Sequence, residues 1–338
     1  MKHSKEELRQ WQSLPLSVKI RMTEERIRDW VNEYGEDGVY ISFSGGKDST
    51  VLLDIARKRY PDLKAMFVDV PTQYPELRSF VKTFDNVDIV SPKINFRQVC
   101  EEYGFPLISK EVSLAVFEVR RAIKNGKEAP SYRMEKFNNE KLDDSGNLSS
   151  YNMPQYKFLL EAPFNISHKC CNVMKKSPAK HYEKATGRHP ITAQMAEESR
   201  LRQSNWLKNG CNMYDLNRPI SNPMSFWTEQ DILKYIRDNE LEICSVYGKV
   251  MTDDEISGQL SFDVGQTEHL QCSGCQRTGC VLCGFGAQSK DDNRYLKLKE
   301  SHPQMYAMLD VITNNGYSMR QAIEWINEHG KLKNKIKI

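Results

Sequence analysis

Apolar positions along this chain follow two different periods. Ile27, Trp30, Val31 and Tyr34 recur at three-to-four spacing, which predicts a helix reaching about Tyr34 and ended by Gly35 and Gly38. Ahead of it, Ser4 with Glu7 three residues later forms a capping box, opening a short helix that must stop before Pro15. Val39-Tyr40-Ile41-Ser42-Phe43 reads as a buried strand. After a glycine-rich turn, Val51, Leu52, Ile55 and Ala56 mark a helix to about Arg59. Residues 63–70, 87–90 and 190–194 are further strand segments. Ile232, Leu233, Tyr235 and Ile236 mark an amphipathic helix over about 228–238, and another starts at Ser318, boxed by Gln321 and stopped by Gly330. Strands alternating with helices predict an α/β fold, a doubly wound parallel sheet with a cysteine-rich C-terminal region. The expected organisation is N-terminal helices over 1–35, an α/β domain over 36–245 and a cysteine-rich segment with C-terminal helices over 246–338. Residues 128–157 are polar and without period, and read as an insertion that is either a lid or a disordered linker.

Composition adds little to this pattern. The chain has 338 residues, 48 Lys and Arg against 45 Asp and Glu, a formal net charge of +3, and ordinary shares of hydrophobic (39%) and charged (28%) residues. No apolar stretch approaches the ~18–20 residues needed to span a bilayer. The N-terminus shows no secretory pattern, so a cytoplasmic protein without membrane contact is expected. The basic stretch Arg120, Arg121, Lys124, Lys127 and the lysine-rich end KLKNKIKI can each meet phosphates or simply be solvated.

The turn after the first strand carries the sharpest chemistry. In Ser42-Phe-Ser44-Gly45-Gly46-Lys47-Asp48-Ser49-Thr50, two consecutive glycines let backbone N–H groups point inward, and the following helix N-terminus adds partial positive charge. A pyrophosphate fits that environment. Ser44, Ser49 and Thr50 offer hydroxyls, Lys47 a point charge, and Asp48 a carboxylate for Mg²⁺. It is not the Walker loop: no glycine lies five residues before Gly46, and Asp follows the lysine.

The hexapeptide SGGKDS after a strand resembles the pyrophosphate loop of the ATP pyrophosphatases (adenine nucleotide α-hydrolases, HUP fold), which cleave between the α- and β-phosphates. Phe67-Val68-Asp69 with Tyr74-Pro75-Glu76, Lys169-Cys170-Cys171 with Lys175 and Pro178, Ile191-Thr192 with Glu198-Ser199, and Pro223 through Trp227-Thr228 with Asp231 and Tyr235 are similar to segments of the phosphoadenosine phosphosulfate (PAPS) reductase family. The resemblance covers about 39–285. It implies that Ser42, Ser44, Gly45, Gly46, Lys47, Asp48 and Ser49 bind ATP–Mg²⁺, with Lys47, Asp48 and Ser49 catalytic. It further implies that Asp69 contacts the nucleotide or a second metal, and that Glu198 and Ser199 line the substrate side. Two departures stand out. The family's Gly-x-Arg is here Ala193-Gln194-Met195, for which Arg200 and Arg202 are stand-ins or ordinary surface residues. No cysteine follows Cys283, so the thiolate with which the reductases attack sulfur has no counterpart there.

Nine cysteines include the adjacent Cys170 and Cys171 and the run Cys272-x₂-Cys275-x₄-Cys280-x₂-Cys283. Without a secretory signal, clustered thiols point to metal rather than disulfides. One reading is a self-contained Cys₄ zinc site. The other joins Cys170 and Cys171 to the later pair, as adenylylsulfate reductases do for a [4Fe–4S] cluster. Arg277-Thr-Gly-Cys-x-x-Cys also resembles the cluster region of the ATP pyrophosphatases of DNA phosphorothioation. The expected ligands are Cys280 and Cys283 first, then Cys275, then Cys170 and Cys171, with Cys272 a bystander. Cys100, Cys211 and Cys244 are expected in the core.

Three functions follow. The leading one is an ATP pyrophosphatase of sulfur metabolism that releases AMP and pyrophosphate and activates an acceptor, nucleic acid or small molecule, for sulfur from a cysteine desulfurase. The alternatives are a PAPS or adenylylsulfate reductase, and a nucleotide- or nucleic-acid-binding module with structural zinc.

Overall fold

Six strands form the central sheet: β1 (Val39–Ser42), β2 (Ala65–Val68), β3 (Val87–Val90), β4 (His189–Ile191), β5 (Asn212–Met213) and β6 (Ile220–Ser221), in the order β3-β2-β1-β4-β6-β5. All neighbours are parallel except β5 and β6. The chain steps outward from β1 to β2 to β3, then returns to build the other half beginning with β4. The switch in direction falls beside β1, where open α/β sheets bind ligands. The fold is thus mixed α/β with a mostly parallel sheet.

Period-2 alternation gives this sheet two apolar faces. Val39, Ile41, Phe43, Ala65, Phe67 and Ile191 join the large core with Trp30, Leu52, Ile55, Trp227 and Ile232 from helices. Tyr40 and Met66 point the other way and pack with Tyr182. Helices Leu16–Tyr34, Lys47–Arg59 and Glu229–Asp238 cover the first face, and the helix Ser177–Thr186 contributes Tyr182 to the second. One buried charge crosses the first core: Lys19, 1% exposed, places Nζ 2.6 Å from Asp231 Oδ2 and 2.6 Å from the Gln12 carbonyl. Asp231 in turn completes the capping box that Thr228 opens.

The computed structural model describes residues 2–257 and 269–338, and the chain divides into two units. The first, Met1–Asp69, Gln73–Ser91 and Pro178–Thr278, holds the sheet. The second, Val70–Thr72, Pro92–Ser177 and Gly279–Ile338, is mostly helical. Its core is built from Phe105, Leu107, Val116, Phe164, Tyr295, Leu309 and Ile323, all buried. Asn314 ties distant segments of it together: its side chain accepts from Asn165 N–H at 2.8 Å and donates to the Cys100 carbonyl at 2.9 Å. A two-residue parallel ladder joins Leu107–Ile108 to Gly284–Phe285. Ile108, a β-branched residue, holds φ at +66° there, and a Cβ on Gly284 would meet the Pro106 carbonyl at 2.7 Å.

The polar stretch 128–157 contains regular structure that its sequence did not signal. It carries a helix, Ser131–Asn138, and a 3₁₀ segment from Pro154. Apolar period missed the helix because it is anchored largely by charge: Arg133 is buried and meets Glu111 and Glu118, each at 2.7 Å, beside the buried Phe137. Among the described residues no helix is long and apolar enough to cross a membrane.

Candidate functional site

The loop after β1 turns sharply at Gly45, whose φ is +71° and where a Cβ would lie 2.9 Å from Val81 Cγ2. Only glycine takes this position without strain. Gly46 then caps the helix Lys47–Arg59. The hydroxyls expected to reach for phosphate are engaged inside the loop. Ser49 Oγ accepts from Ser44 N–H at 3.1 Å, lies 3.0 Å from Ser44 Oγ and donates to the Gly46 carbonyl at 2.9 Å. Thr50 Oγ1 donates to the same carbonyl at 3.1 Å. These bonds hold the turn in shape.

A pocket of about 160 Å³ opens on the loop, lined by Ser44, Gly46, Lys47 and Asp48. The opposite wall comes from Met195, Glu197, Glu198 and Glu229, with Tyr247, Arg277 and Thr278. Lys47 is nearly buried. Its Nζ donates to the Gln276 carbonyl at 3.0 Å and lies 3.1 Å from Glu229 Oε1 and 3.7 Å from Asp48 Oδ1. Tyr247 closes the loop from above: its hydroxyl accepts from Lys47 N–H at 3.3 Å and shares a hydrogen with Thr278 Oγ1 at 2.6 Å. Burial, joined by the charge of Glu229, pushes the Asp48 carboxyl above the ordinary carboxylate range, while Lys47, Arg277 and Arg202 pull it down. Asp48 Oδ1 is buried and makes no hydrogen bond. A carboxylate oxygen without a hydrogen bond, on a wall shared with Glu197, Glu198 and Glu229, has the chemistry of a hard-cation ligand, although among the described residues no three such side chains stand in metal-holding geometry.

The other expected site residues lie as follows. Glu198 accepts from Met195 N–H at 3.0 Å, pairs with Arg202 and lines the pocket. Ser199 caps the helix Arg200–Asn209 and is not on the wall. Ser42 ends β1 behind the turn. Asp69 is held by Arg78 through contacts of 2.6 and 2.7 Å and is also not on the wall. Of the two arginines weighed as stand-ins for the family's arginine, Arg202 shares the field of Asp48 and Arg277, whereas Arg200 is exposed.

Glu197, Glu229, Tyr247, Arg277 and Thr278 were not singled out as site residues from sequence. Glu229 directly follows Thr228 of the Trp-Thr motif, and Arg277-Thr278 open the second Cys-x₂-Cys run, so both were adjacent to recognised signals. Glu197 accepts from Glu229 N–H at 3.0 Å, tying that wall together. Tyr247 had no signal at all.

The cysteines divide between the units. Cys170, Cys171, Cys280 and Cys283 all belong to the second, whereas Cys272 and Cys275 belong to the first. Cys170 and Cys171 precede a π-helical turn, Asn172–Lys176, a distortion frequent at functional sites. Burial raises the Cys170 thiol, and Cys280, Cys171, Cys100 and Cys283 add to the effect. Cys283 is pushed up to about 11 by burial, with Cys280 and Cys171 contributing. Cys170 and Cys283 therefore both lie in the field of Cys171 and Cys280. Arg294 grips their loop, donating to the Cys283 and Phe285 carbonyls at 2.9 Å each. The Tyr295 hydroxyl, in the field of Cys283, is buried without a hydrogen-bond partner. The donor set suits a thiolate-bound metal or cluster. Among the described residues, however, no three His, Cys, Asp or Glu side chains stand in metal-holding geometry. In the first unit, Cys272 is buried, and Cys275 Sγ lies 3.7 Å from the Tyr74 hydroxyl. Cys100, Cys211 and Cys244 are buried, as expected.

A family model described as the phosphoadenosine phosphosulfate reductase domain matches residues 38–109 and 131–284. A crystal structure of phosphoadenylyl-sulfate (PAPS) reductase from Candida auris, a phosphate complex, is similar at 15% identity over 80% of this chain and 99% of that one. The TM-score is 0.38, too loose a superposition to bear on function. No curated protein matches.

Proposed function

The chain belongs to the phosphoadenosine phosphosulfate reductase family, and from that premise we propose that it binds ATP–Mg²⁺ on the 44–49 loop and cleaves between the α- and β-phosphates. The observation that carries this reading is the wall of carboxylates around Lys47. Asp48, Glu197, Glu198 and Glu229 would repel a bare polyphosphate, but they suit a nucleotide whose charge is shared with a divalent cation. Bound there, Mg²⁺ would supply charge neutralisation on the departing pyrophosphate. Gly45 and Gly46 leave room for the phosphates to approach backbone N–H groups, and Lys47 supplies a fixed positive charge beside the leaving group. Asp48 offers the cation an oxygen that accepts no hydrogen bond. Ser44 and Ser49 keep the turn rigid. Asp69, Glu198 and Ser199 remain candidates for contacts outside the phosphates.

AMP formation has a purpose if the α-phosphate is first transferred to an acceptor oxygen. That oxygen then leaves as AMP when a sulfur nucleophile attacks. We propose this sulfur-transfer role, with a cysteine desulfurase as donor and a nucleic acid or small molecule as acceptor. Cys170, Cys171, Cys280 and Cys283 are the proposed ligands of a [4Fe–4S] cluster, which would supply redox chemistry or hold sulfide. A zinc ion on the same thiols would be structural.

A second reading, reduction of PAPS or adenylylsulfate, is favoured by the description of the family itself. One experiment separates the two. ATP labelled at the α-phosphate should give AMP with wild-type protein and Mg²⁺. Lys47→Ala should abolish this while the metal content of the protein is unchanged. Sulfite release from PAPS with a dithiol reductant, and no AMP from ATP, would overturn the ATP reading in favour of the reductase. Neither activity, with zinc in the purified protein, would leave a binding module.

A further inference from the structure

The second unit contains a cavity of about 430 Å³ that the loop chemistry does not use. Its wall includes Phe117, Arg120, Arg121 and Lys124 from the helix Lys110–Lys124, facing Tyr103 and Glu102. Elsewhere, arginines that lose solvent have a carboxylate neighbour: Arg133 has Glu118, Arg202 has Asp48, and Arg294 has Asp292. Arg120 has none among the described residues. It is half-buried, burial alone acts on its guanidinium, and Nη1 donates to the Phe164 carbonyl at 2.6 Å. The remaining guanidinium donors are available to a ligand. No ion pair engages Arg121 or Lys124 among the described residues, and Arg121 lies 5.5 Å from the centre of the Phe117 ring. The only carboxylate on the wall, Glu102, is hydrogen-bonded to the Tyr103 hydroxyl.

Three cations against one carboxylate leave an excess of about two positive charges, which matches a phosphate monoester. The cavity also has aromatic rings, Phe117 and Tyr103, and its volume suits a small molecule of nucleotide size. We propose that this cavity binds a nucleoside phosphate, with Arg120, Arg121 and Lys124 on the phosphate and the base against Phe117 and Tyr103. The ligand is either a free mononucleotide or one nucleotide of a single strand. Arginine pairs with phosphate through several parallel N–H bonds, and aromatic rings stack on any base. This site lies in a different unit from the Ser44–Ser49 loop and does not rest on the ATP reading.

The test uses full-length protein carrying Lys47→Ala, which silences the loop, so failure of one site is distinguishable from failure of the other. Fluorescence anisotropy would follow two probes, a 5′-labelled twelve-residue oligothymidylate and N-methylanthraniloyl-AMP. At least one should bind. Arg121→Glu with Lys124→Glu, two exposed positions, should weaken it roughly tenfold or more, as expected for charge-assisted contacts. The same change should flatten the dependence of oligonucleotide affinity on salt. Phe117→Leu should weaken binding while leaving the salt dependence unchanged, a split that general destabilisation would not produce. Binding of the oligonucleotide alone assigns the site to a strand, and binding of the AMP probe assigns it to free nucleotide. Absence of binding by both probes, or indifference to the double charge reversal with the fold intact by circular dichroism, overturns the proposal.

Discussion

At the scale of single residues, the site is a balance of charge around Lys47. Glu229 sits 3.1 Å from its Nζ, so a free anion must displace that carboxylate before it reaches the lysine. Glu229→Gln should therefore tighten binding of Mg²⁺-free ATP roughly tenfold, about 1.4 kcal/mol, and blunt the gain on adding Mg²⁺. Titration calorimetry in the presence and absence of EDTA reads both. A second residue sets a pH response. His189 stacks on Tyr34 with ring centres 3.9 Å apart, and burial lowers its pKa below the usual 6.5. The unfolded chain then binds more protons than the native one just below that value, so stability falls as pH drops through 6.5 toward the folded pKa. His189→Phe keeps a ring on Tyr34 and should reduce the slope of Tm against pH in that window. The loop half of the site was legible in sequence because Ser44 through Ser49 are contiguous. The opposite half was not, since Glu229, Tyr247 and Arg277 arrive from remote segments whose approach no local pattern encodes.

At the scale of elements, caps and periods read well. Ser4 with Glu7 and Ser318 with Gln321 form the expected reciprocal boxes, β1, β2 and β3 fall within the expected stretches, and β4 starts at His189, one residue ahead of its own. These signals are local. What escaped is structure supported by charge, such as the helix around Arg133, and the burial of Lys19. Lys19 Nζ lies 2.6 Å from Asp231, whose other duty is to complete the cap at Thr228. Lys19→Met strands that carboxylate among apolar neighbours and should cost about 3 kcal/mol, within the range for breaking a buried ion pair from one side. Urea unfolding checks it, with an unchanged m-value expected if the native fold persists.

At the scale of the whole chain, the cysteine run that looks continuous in sequence is shared between the units. Cys272 and Cys275 fall in one, and Cys280 and Cys283 in the other with Cys170 and Cys171. Spacing alone favoured Cys275 over Cys170 and Cys171, because proximity in sequence was the only distance available. On the proposal made here, Cys170→Ser, Cys171→Ser, Cys280→Ser or Cys283→Ser should each lower iron and acid-labile sulfide after anaerobic purification. Cys272→Ser with Cys275→Ser should leave both at the wild-type level. Metal loss in that double variant instead would return the ligands to the four-cysteine run.

The short ladder between Leu107–Ile108 and Gly284–Phe285 has a consequence for how the protein is made. As the chain leaves the ribosome, residue 107 emerges long before residue 284, and β4, β5 and β6 of the large sheet are synthesised in between. The apolar segment around Phe105 and Leu107 must therefore wait, without its partner, while most of the polypeptide is translated. Such delayed pairing leaves sticky surface open to chaperones and to misassociation, so the nascent protein is at its most vulnerable until its last quarter has been delivered.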